Sequence, residues 1–98
     1  MRKSELIDAL QRIRPSLAHE GVAHLSIFGS RARGDNRPES DIDLLIDIAH
    51  PEAFSLLNLI GIEQMVTDQT GLVTNAVLSR GLDDAFRTTV ERDAVRVF

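Results

Sequence analysis

The sequence predicts an α/β fold, with a small mixed sheet flanked by helices. Short apolar runs rich in β-favouring residues alternate with segments of helical periodicity, which indicates helices packed on a small sheet. The 98 residues suffice for one hydrophobic core but not for two. Because the chain also contains no repeat, low-complexity segment or linker, we expect a single domain over residues 1–98.

The first two predicted elements are a helix over residues 4–18 and a strand over residues 22–28. The helix has apolar side chains at spacings of four, three and four, which form one stripe: Leu6, Leu10, Ile13 and Leu17. Pro15 should kink or restart this helix. The strand leads into Gly29, and residues 30–34 are predicted to form a short helical turn.

The second half of the chain repeats the alternation of strand and helix. The remaining predicted elements are, in order, a loop at 35–40, a strand at 41–48, a helix at 51–70, a strand at 72–78, a helix at 82–92 and a short strand or docked tail at 94–98. The helix over residues 51–70 has four apolar residues near one stripe: Phe54, Leu57, Ile60 and Met65.

Composition and charge exclude several classes of protein. The net charge of −4 argues against broad electrostatic binding to nucleic acid, and the four aromatic residues, all phenylalanine, leave little for base stacking. Without cysteine, neither a disulfide framework nor a thiolate metal site is expected. No apolar stretch approaches the length of a membrane span, and the N-terminus has the pattern of a helix start rather than a signal peptide. The expected compartment is the cytoplasm.

Gly29 and Ser30 form a tight turn directly after the first predicted strand. A lone Gly-Ser pair is most often a plain β-turn without function. In the functional interpretation, Gly29 lets the backbone approach a phosphate, Ser30 offers its hydroxyl, and the following N–H groups form an anion site at a helix start. Arg31 and Arg33 could then neutralise phosphate charge, with solvated loop arginines as the alternative.

Asp41 and Asp43 open the second predicted strand and should point to the same face, because side chains alternate along a strand. Ile42 and Leu44 then point into the core. Two acids on one face repel each other, and Mg²⁺ relieves that repulsion while also binding a substrate's phosphates. Alone, the pair could be a solvated surface feature. Beside a phosphate-binding turn it predicts a metal–nucleotide site, in which two Mg²⁺ ions bridge the acids to a triphosphate.

The spacing of these residues resembles the signature of the polymerase-β-like nucleotidyltransferase superfamily. Gly29-Ser30, ten intervening residues and Asp41-Ile42-Asp43 follow one another, and the fuller string GSRARG…SDIDLLID is similar to the minimal nucleotidyltransferases, known as MNT proteins. The resemblance covers nearly the whole chain. It implies the polymerase-β-like fold, with Gly29 and Ser30 binding nucleotide phosphates and Asp41 and Asp43 binding Mg²⁺.

The same resemblance implies a partner and a reaction. MNT proteins are typically paired with a helical HEPN ribonuclease toxin, so the chain is expected to act as an antitoxin. The implied reaction is transfer of AMP from ATP to a tyrosine of that toxin. So short a chain has no room for a separate acceptor-binding domain, which favours a protein acceptor and makes homo- or hetero-oligomers plausible.

The chain departs from the family pattern at the third carboxylate position. The family places an acid on the strand after the second long helix, and here the residue is Asn75. An amide carries no charge and is a poor proton acceptor, so Asn75 should weaken the metal site and slow transfer. Asp47 is predicted to lie roughly 13 Å beyond Asp43, and Asp68 precedes the strand on the helix, so neither is expected to substitute.

The sequence leaves three functions open. The first is a Mg²⁺-dependent nucleotidyltransferase that modifies its toxin partner. The second is a binding protein that neutralises the toxin by occupying its surface, because Asn75 has reduced or abolished transfer. The third is a phosphate- or nucleotide-responsive module with neither activity.

Overall fold

The computed structural model, which describes residues 1–98, contains five α-helices and four strands. The helices are α1 (Lys3–Arg12), α2 (Arg14–His19), α3 (Ser30–Arg33), α4 (Leu56–Thr70) and α5 (Asp84–Asp93). The strands are β1 (Val22–Phe28), β2 (Ile42–Ile48), β3 (Thr74–Leu78) and β4 (Val95–Arg96). Every predicted strand is therefore present, including the short one at the C-terminus.

The four strands form one mixed sheet in the order β3-β2-β1-β4. β1 is antiparallel to both β2 and β4, whereas β2 and β3 are parallel. The parallel pair is joined by α4, as a crossover connection requires. This arrangement confirms the predicted α/β class with a small mixed sheet.

Alternation along β2 separates a buried face of the sheet from an open one. Ile42, Leu44 and Ile46 have no exposed surface, whereas Asp43 is half-buried and Asp47 is exposed. The buried face packs against apolar side chains of α1, α2 and α4: Leu6, Leu10, Leu17, Ile62 and Val66. The hydrophobic effect thus fixes which face of β2 points outward, and that face carries the acids.

The predicted helix over residues 51–70 is wrong at its start. Pro51–Ala53 form a separate 3-10 turn, and α4 begins only after Ser55. Ser55 and Asn58 form a capping box, in which the Asn58 side chain accepts from the Ser55 N–H at 2.9 Å. The capping box at Ser55 stabilises a helix that begins at Leu56, and it outweighs the preference of Pro51 for the first turn of a helix.

The predicted apolar stripe on this helix is also wrong in part. Leu57 and Ile60 are 79% and 51% exposed, and α4 instead buries Ile62 and Val66. The first two turns of α4 are apolar on nearly every side, so periodicity alone does not select the face that packs. None of the helices is both long enough and apolar enough to span a bilayer.

Two smaller boundaries differ from the predictions. The first helix breaks at Ile13, between α1 and α2, with Pro15 in the first turn of α2. β3 begins at Thr74 rather than at residue 72, because Gly71 ends α4 in a left-handed conformation and the chain needs two further residues to reach the sheet.

Candidate nucleotide and metal site

Gly29 lies where β1 ends against the start of β2. The register pairs Phe28 with Asp43, so the turn after β1 crosses directly over that acid. Gly29 has a φ of 72° and a ψ of −154°, and a Cβ built on it would lie 2.5 Å from Asp43 Oδ2. Both the backbone conformation and the space therefore require glycine here.

Ser30 is the first residue of α3, a single helical turn that follows Gly29. The Gly29 carbonyl accepts from the N–H groups of Ala32 and Arg33 at 3.1 and 3.0 Å. The turn ends at Gly34, which adopts the left-handed conformation. The predicted strand, tight turn and short helix are thus present, and they hold Ser30 beside the acid-bearing end of the sheet.

Asp41 and Asp43 stand at the start of β2 as the alternation predicts. Asp41 is exposed immediately before the strand, and Asp43 is its second residue and half-buried. The intervening Ile42 and the following Leu44 have no exposed surface. Asp43 within the strand and Asp41 just before it thus have surface positions, while Ile42 and Leu44 lie in the core.

Asn75 lies directly beside Asp43 in the parallel register of β2 and β3. Its Nδ2 donates to Asp41 Oδ2 at 3.1 Å. Asn75 thus lies within hydrogen-bond distance of Asp41, and it brings an amide to the position where the family resemblance implies an acid. Part of the repulsion between the carboxylates is relieved by this N–H.

The electrostatic state of Asp43 reflects this environment. Burial raises the pKa of the Asp43 carboxyl, and the neighbouring Asp41 charge raises it further. The Asn75 amide and the Arg33 charge act in the opposite direction, and the net shift of the pKa is upward. A carboxylate that is partly desolvated and faces a second acid gains stability from a cation, which favours the ionised form.

The oxygen donors at this end of the sheet fit Mg²⁺ better than a transition metal. Asp41 and Asp43 supply carboxylate oxygens, and Asn75 can supply a carbonyl oxygen. No group of three or more His, Cys, Asp or Glu side chains in the chain is arranged to hold a metal ion. The protein alone therefore supplies an incomplete coordination shell, which is typical of sites where a substrate's phosphates complete the shell of Mg²⁺.

Arg31 does not lie where the sequence predicts. It is only 2% exposed, so the proposed contact with phosphate is not available to it. Its guanidinium instead donates to four backbone carbonyls: Ser40 at 2.9 Å, Pro38 at 3.0 Å, Met1 at 3.2 Å and Arg37 at 3.5 Å. The short helix α3 turns this side chain inward, toward the loop that precedes Asp41.

Arg33, two residues later, faces solvent. It forms ion pairs with Asp35 at 3.0 Å and with Asp93 on α5 at 2.9 Å. These two acids raise the pKa of the Arg33 guanidinium. Its charge also reaches Asp43, whose pKa it lowers. Arg33 can therefore bind an anion at the site if its ion pairs with Asp35 and Asp93 break.

Two other acids, considered in the sequence as substitutes for the third carboxylate, lie away from the site. Asp47, on the outward face of β2, bonds to the Ser79 hydroxyl beyond the end of β3. Asp68, on α4, accepts from Gln64 Nε2 at 2.7 Å. Neither replaces the missing third carboxylate.

Glu63 supports the site and was not found from the sequence. Its Oε2 accepts from the Ala76 N–H at 2.8 Å, on the edge of β3 that faces away from β2. This contact ties α4 to the strand that carries Asn75 and covers an otherwise open strand edge. A single glutamate within a helix carries no sequence signal for such a contact.

The site is an open surface rather than a cavity. The largest cavity, of about 620 Å³, is lined by residues such as Ile48 and Leu78 at the opposite ends of β2 and β3. None of the candidate site residues lines it. We place the site at the acids despite this cavity, because the cavity offers no paired carboxylates and no phosphate-binding turn.

Comparison with known proteins agrees with this geometry. The nucleotidyltransferase domain family matches residues 3–97. The protein adenylyltransferase MntA of Thermococcus cleftensis is 35% identical over 77 residues, which cover 79% of this chain and 76% of that protein. A solved structure of a presumed minimal nucleotidyltransferase superposes with a TM-score of 0.82 at 29% identity, covering 97% of this chain and 95% of the other.

A more distant structure shares the fold. It is a chain in the complex of tri-AMPylated Shewanella oneidensis HEPN toxin with MNT antitoxin, with a TM-score of 0.72 at 11% identity, covering 98% of this chain and 71% of that one. At that identity the likeness concerns the fold alone. The family match, the relative and the arrangement of Gly29, Asp41 and Asp43 agree with one another, and the chain belongs to the nucleotidyltransferase domain family.

Proposed function

We propose that this nucleotidyltransferase is a Mg²⁺-dependent protein adenylyltransferase that acts as an antitoxin. In this proposal it transfers AMP from ATP to a tyrosine hydroxyl of a HEPN ribonuclease toxin. The observation that carries the proposal is the pair Asp41 and Asp43 at the start of β2, with Gly29 crossing directly over Asp43. The AMPylated HEPN toxin in the Shewanella complex supports this class of acceptor.

Different residues of the site would bind the metal, position the phosphates and supply positive charge. Asp41 and Asp43 would hold Mg²⁺, which supplies charge neutralisation at the phosphates. The turn at Gly29-Ser30 would position the phosphate chain, and Arg33 would add positive charge. The acceptor oxygen attacks the α-phosphorus, the bond to the bridging oxygen breaks as pyrophosphate leaves, and the proton of the acceptor hydroxyl passes to water at this open site. Positioning and electrostatics supply most of the catalysis in such transfers.

The acceptor belongs to another molecule in this proposal. The chain contains no tyrosine, so it cannot transfer AMP to a tyrosine of its own. The site is also open, without walls that enclose a small acceptor. A protein acceptor that brings its own surface fits these two properties, and complex formation with that partner follows from them. Because ATP is an intracellular substrate, we place the activity in the cytoplasm.

Asn75 supports a second candidate function. The amide cannot accept the proton that the acceptor hydroxyl loses, and it adds no charge to the metal site. The only carboxylates at the site are then those of Asp41 and Asp43. A chain with little or no transfer activity could still neutralise its toxin by covering the toxin's surface.

One experiment separates these candidates. The purified chain is incubated with labelled ATP, Mg²⁺ and the HEPN toxin that this proposal assigns to it as partner. We expect label on a tyrosine of the HEPN protein, and no label with Asp41→Asn or Asp43→Asn. Asp47→Asn is the matched control, because it removes the same charge from the same face of β2 away from the site. A tight complex without label, unaffected by either site variant, would support the binding function and reject the enzyme.

A further inference from the structure

Arg31 is a buried cation without an anionic partner. It is 2% exposed and takes part in none of the chain's ion pairs. Arginine keeps its charge under all ordinary conditions, so burial has to be offset by hydrogen bonds. Four backbone carbonyls provide them, and all three guanidinium nitrogens are engaged.

These carbonyls are concentrated in the loop that leads into Asp41. Arg37 and Ser40 close a turn around Pro38, with the Ser40 N–H donating to the Arg37 carbonyl at 3.1 Å. The Arg37 N–H donates to Ser40 Oγ at 2.8 Å. Arg31 binds the carbonyls of all three of these residues, so one side chain fixes the conformation of the whole turn.

The contact with Ser40 has the most direct consequence for the site. Arg31 Nε donates to the Ser40 carbonyl at 2.9 Å. That carbonyl belongs to the peptide unit that joins Ser40 to Asp41, so its orientation sets the direction in which the chain enters Asp41. Asp41 is itself exposed, and it precedes the first residue of β2, so the sheet alone does not hold it.

We propose that Arg31 is a positioning residue, which holds the peptide between Ser40 and Asp41 so that the Asp41 carboxylate lies beside Asn75 and Asp43. In this proposal Arg31 does not contact phosphate, as the sequence suggests, but acts on the site indirectly, through the backbone before Asp41. The consequence for metal binding rests on the proposed function, whereas the placement of Asp41 does not. The rigid fork of arginine suits this role, since its contacts are spread over three nitrogens, whereas a lysine ammonium donates all its hydrogens from a single nitrogen.

The test uses the folded 98-residue chain and two variants. Arg31→Lys keeps the charge but not the fork. Arg37→Gln is the matched control, because it removes a positive charge from the same loop, while only the backbone of Arg37 makes hydrogen bonds there. Arg31→Gln extends the series, and circular dichroism establishes that each variant is folded at the temperature of measurement.

The first readout needs neither metal nor nucleotide. The Asn75 side-chain amide donates to Asp41, so its NMR signals report the position of that carboxylate. We expect Arg31→Lys to move these signals toward those of Asp41→Asn. We also expect hydrogen exchange of the Ser40 amide to accelerate at least tenfold, with the Val97 amide, bonded to the Leu25 carbonyl at 2.8 Å, as the unchanged reference.

The second readout is Mn²⁺ affinity, measured as a substitute for Mg²⁺ in the presence of a non-hydrolysable ATP analogue. We expect a loss of about tenfold in Arg31→Lys and a change below about twofold in Arg37→Gln. If Arg31 contributes to stability alone, Arg31→Lys would accelerate hydrogen exchange of the Ser40 amide but leave the Asn75 signals and the Mn²⁺ affinity of the folded protein unchanged. That result would overturn the proposal.

The two proposals fail in different ways. If the wild-type chain binds no Mn²⁺, the proposed function is rejected, and the Asn75 signals still decide whether Arg31 positions Asp41. If the wild-type chain binds Mn²⁺ and Arg31→Lys changes neither the affinity nor the Asn75 signals, the proposed function stands and the role of Arg31 is rejected.

Discussion

Two neighbouring strands meet at the site, and they bring different charges to it. β2 carries Asp43 as its second residue and follows directly on Asp41, whereas β3 places the neutral Asn75 beside Asp43. The strands pair in parallel and in register, so the positions correspond although the charges do not. Geometry and charge are therefore separate properties of this site. The sheet supplies the geometry, and the capacity to hold a cation depends on β2.

The largest expected effect comes from disturbing the β2 side through Gly29→Ala. A Cβ at this position meets Asp43 Oδ2 at 2.5 Å, and the positive φ of 72° adds backbone strain. We expect transfer of AMP to fall by about 100-fold or more, because a misplacement of about 1 Å at a reacting centre has effects of that size. Steady-state transfer to the HEPN protein measures it.

Gly34→Ala is the control for this substitution. Gly34 also has a positive φ, of 87°, but nothing lies within 4 Å of a Cβ built there. Both variants carry backbone strain, and only Gly29→Ala disturbs the carboxylate. Equal losses of transfer in the two variants would show that strain alone explains the effect and that the contact with Asp43 does not matter.

Asn75→Asp gives β3 a negative charge at the site and so removes the difference in charge between β2 and β3. It places a third carboxylate beside Asp43, so we expect tighter Mn²⁺ binding and transfer faster by about tenfold, which corresponds to about 1.4 kcal/mol. Without metal, the added repulsion should lower the free energy of unfolding by about 1 kcal/mol. Unchanged or slower transfer would show that Asn75 does not occupy the functional third position.

Asp43→Asn, which should abolish transfer, should also change the stability of the chain without metal, and this change in stability is the smallest of the expected effects. Burial and the Asp41 charge hold the pKa of the Asp43 carboxyl above its usual value. The folded state therefore binds the proton at higher pH than the unfolded state does, and this group contributes stability that is lost as the pH rises through its folded pKa. At neutral pH without metal, Asp43→Asn should raise the free energy of unfolding by up to about 1 kcal/mol.

Urea unfolding from about pH 4 to about pH 7 measures this effect. The wild-type chain should lose stability relative to Asp43→Asn as the pH rises through that range, and added Mn²⁺ with nucleotide should reverse the order at neutral pH. If Asp43→Asn is less stable than the wild type at neutral pH without metal, burial and the Asp41 charge do not destabilise the ionised Asp43 carboxylate, which contradicts this prediction.

The sequence predicts the parts of the fold that local pattern determines. The apolar runs at β1, β2 and β3 are short and bounded by glycine or polar loops, so the strands follow from composition and alternation. The same alternation places Asp43 outward between buried Ile42 and Leu44. The proximity of Asn75 to the acids follows only with the family resemblance, because strand order cannot be read from one strand at a time.

The sequence does not predict contacts that depend on long-range packing. Arg31 is two residues from Arg33 and has the same chemistry, yet one is buried against backbone carbonyls and the other faces solvent. The difference arises because α3 directs successive side chains to different sides. Likewise, the sequence does not distinguish the exposed Leu57 on α4 from the buried Ile62, since the first two turns of that helix are apolar on nearly every side.

The most direct test of the central claim is a crystal structure of the chain with Mg²⁺ and a non-hydrolysable ATP analogue. We predict metal density bound to the carboxylates of Asp41 and Asp43, with the phosphates against the turn at Gly29-Ser30 and Arg31 still buried in its loop. Nucleotide bound elsewhere, for example in the cavity lined by Ile48 and Leu78, or phosphates at the turn without metal on either acid, would contradict the account.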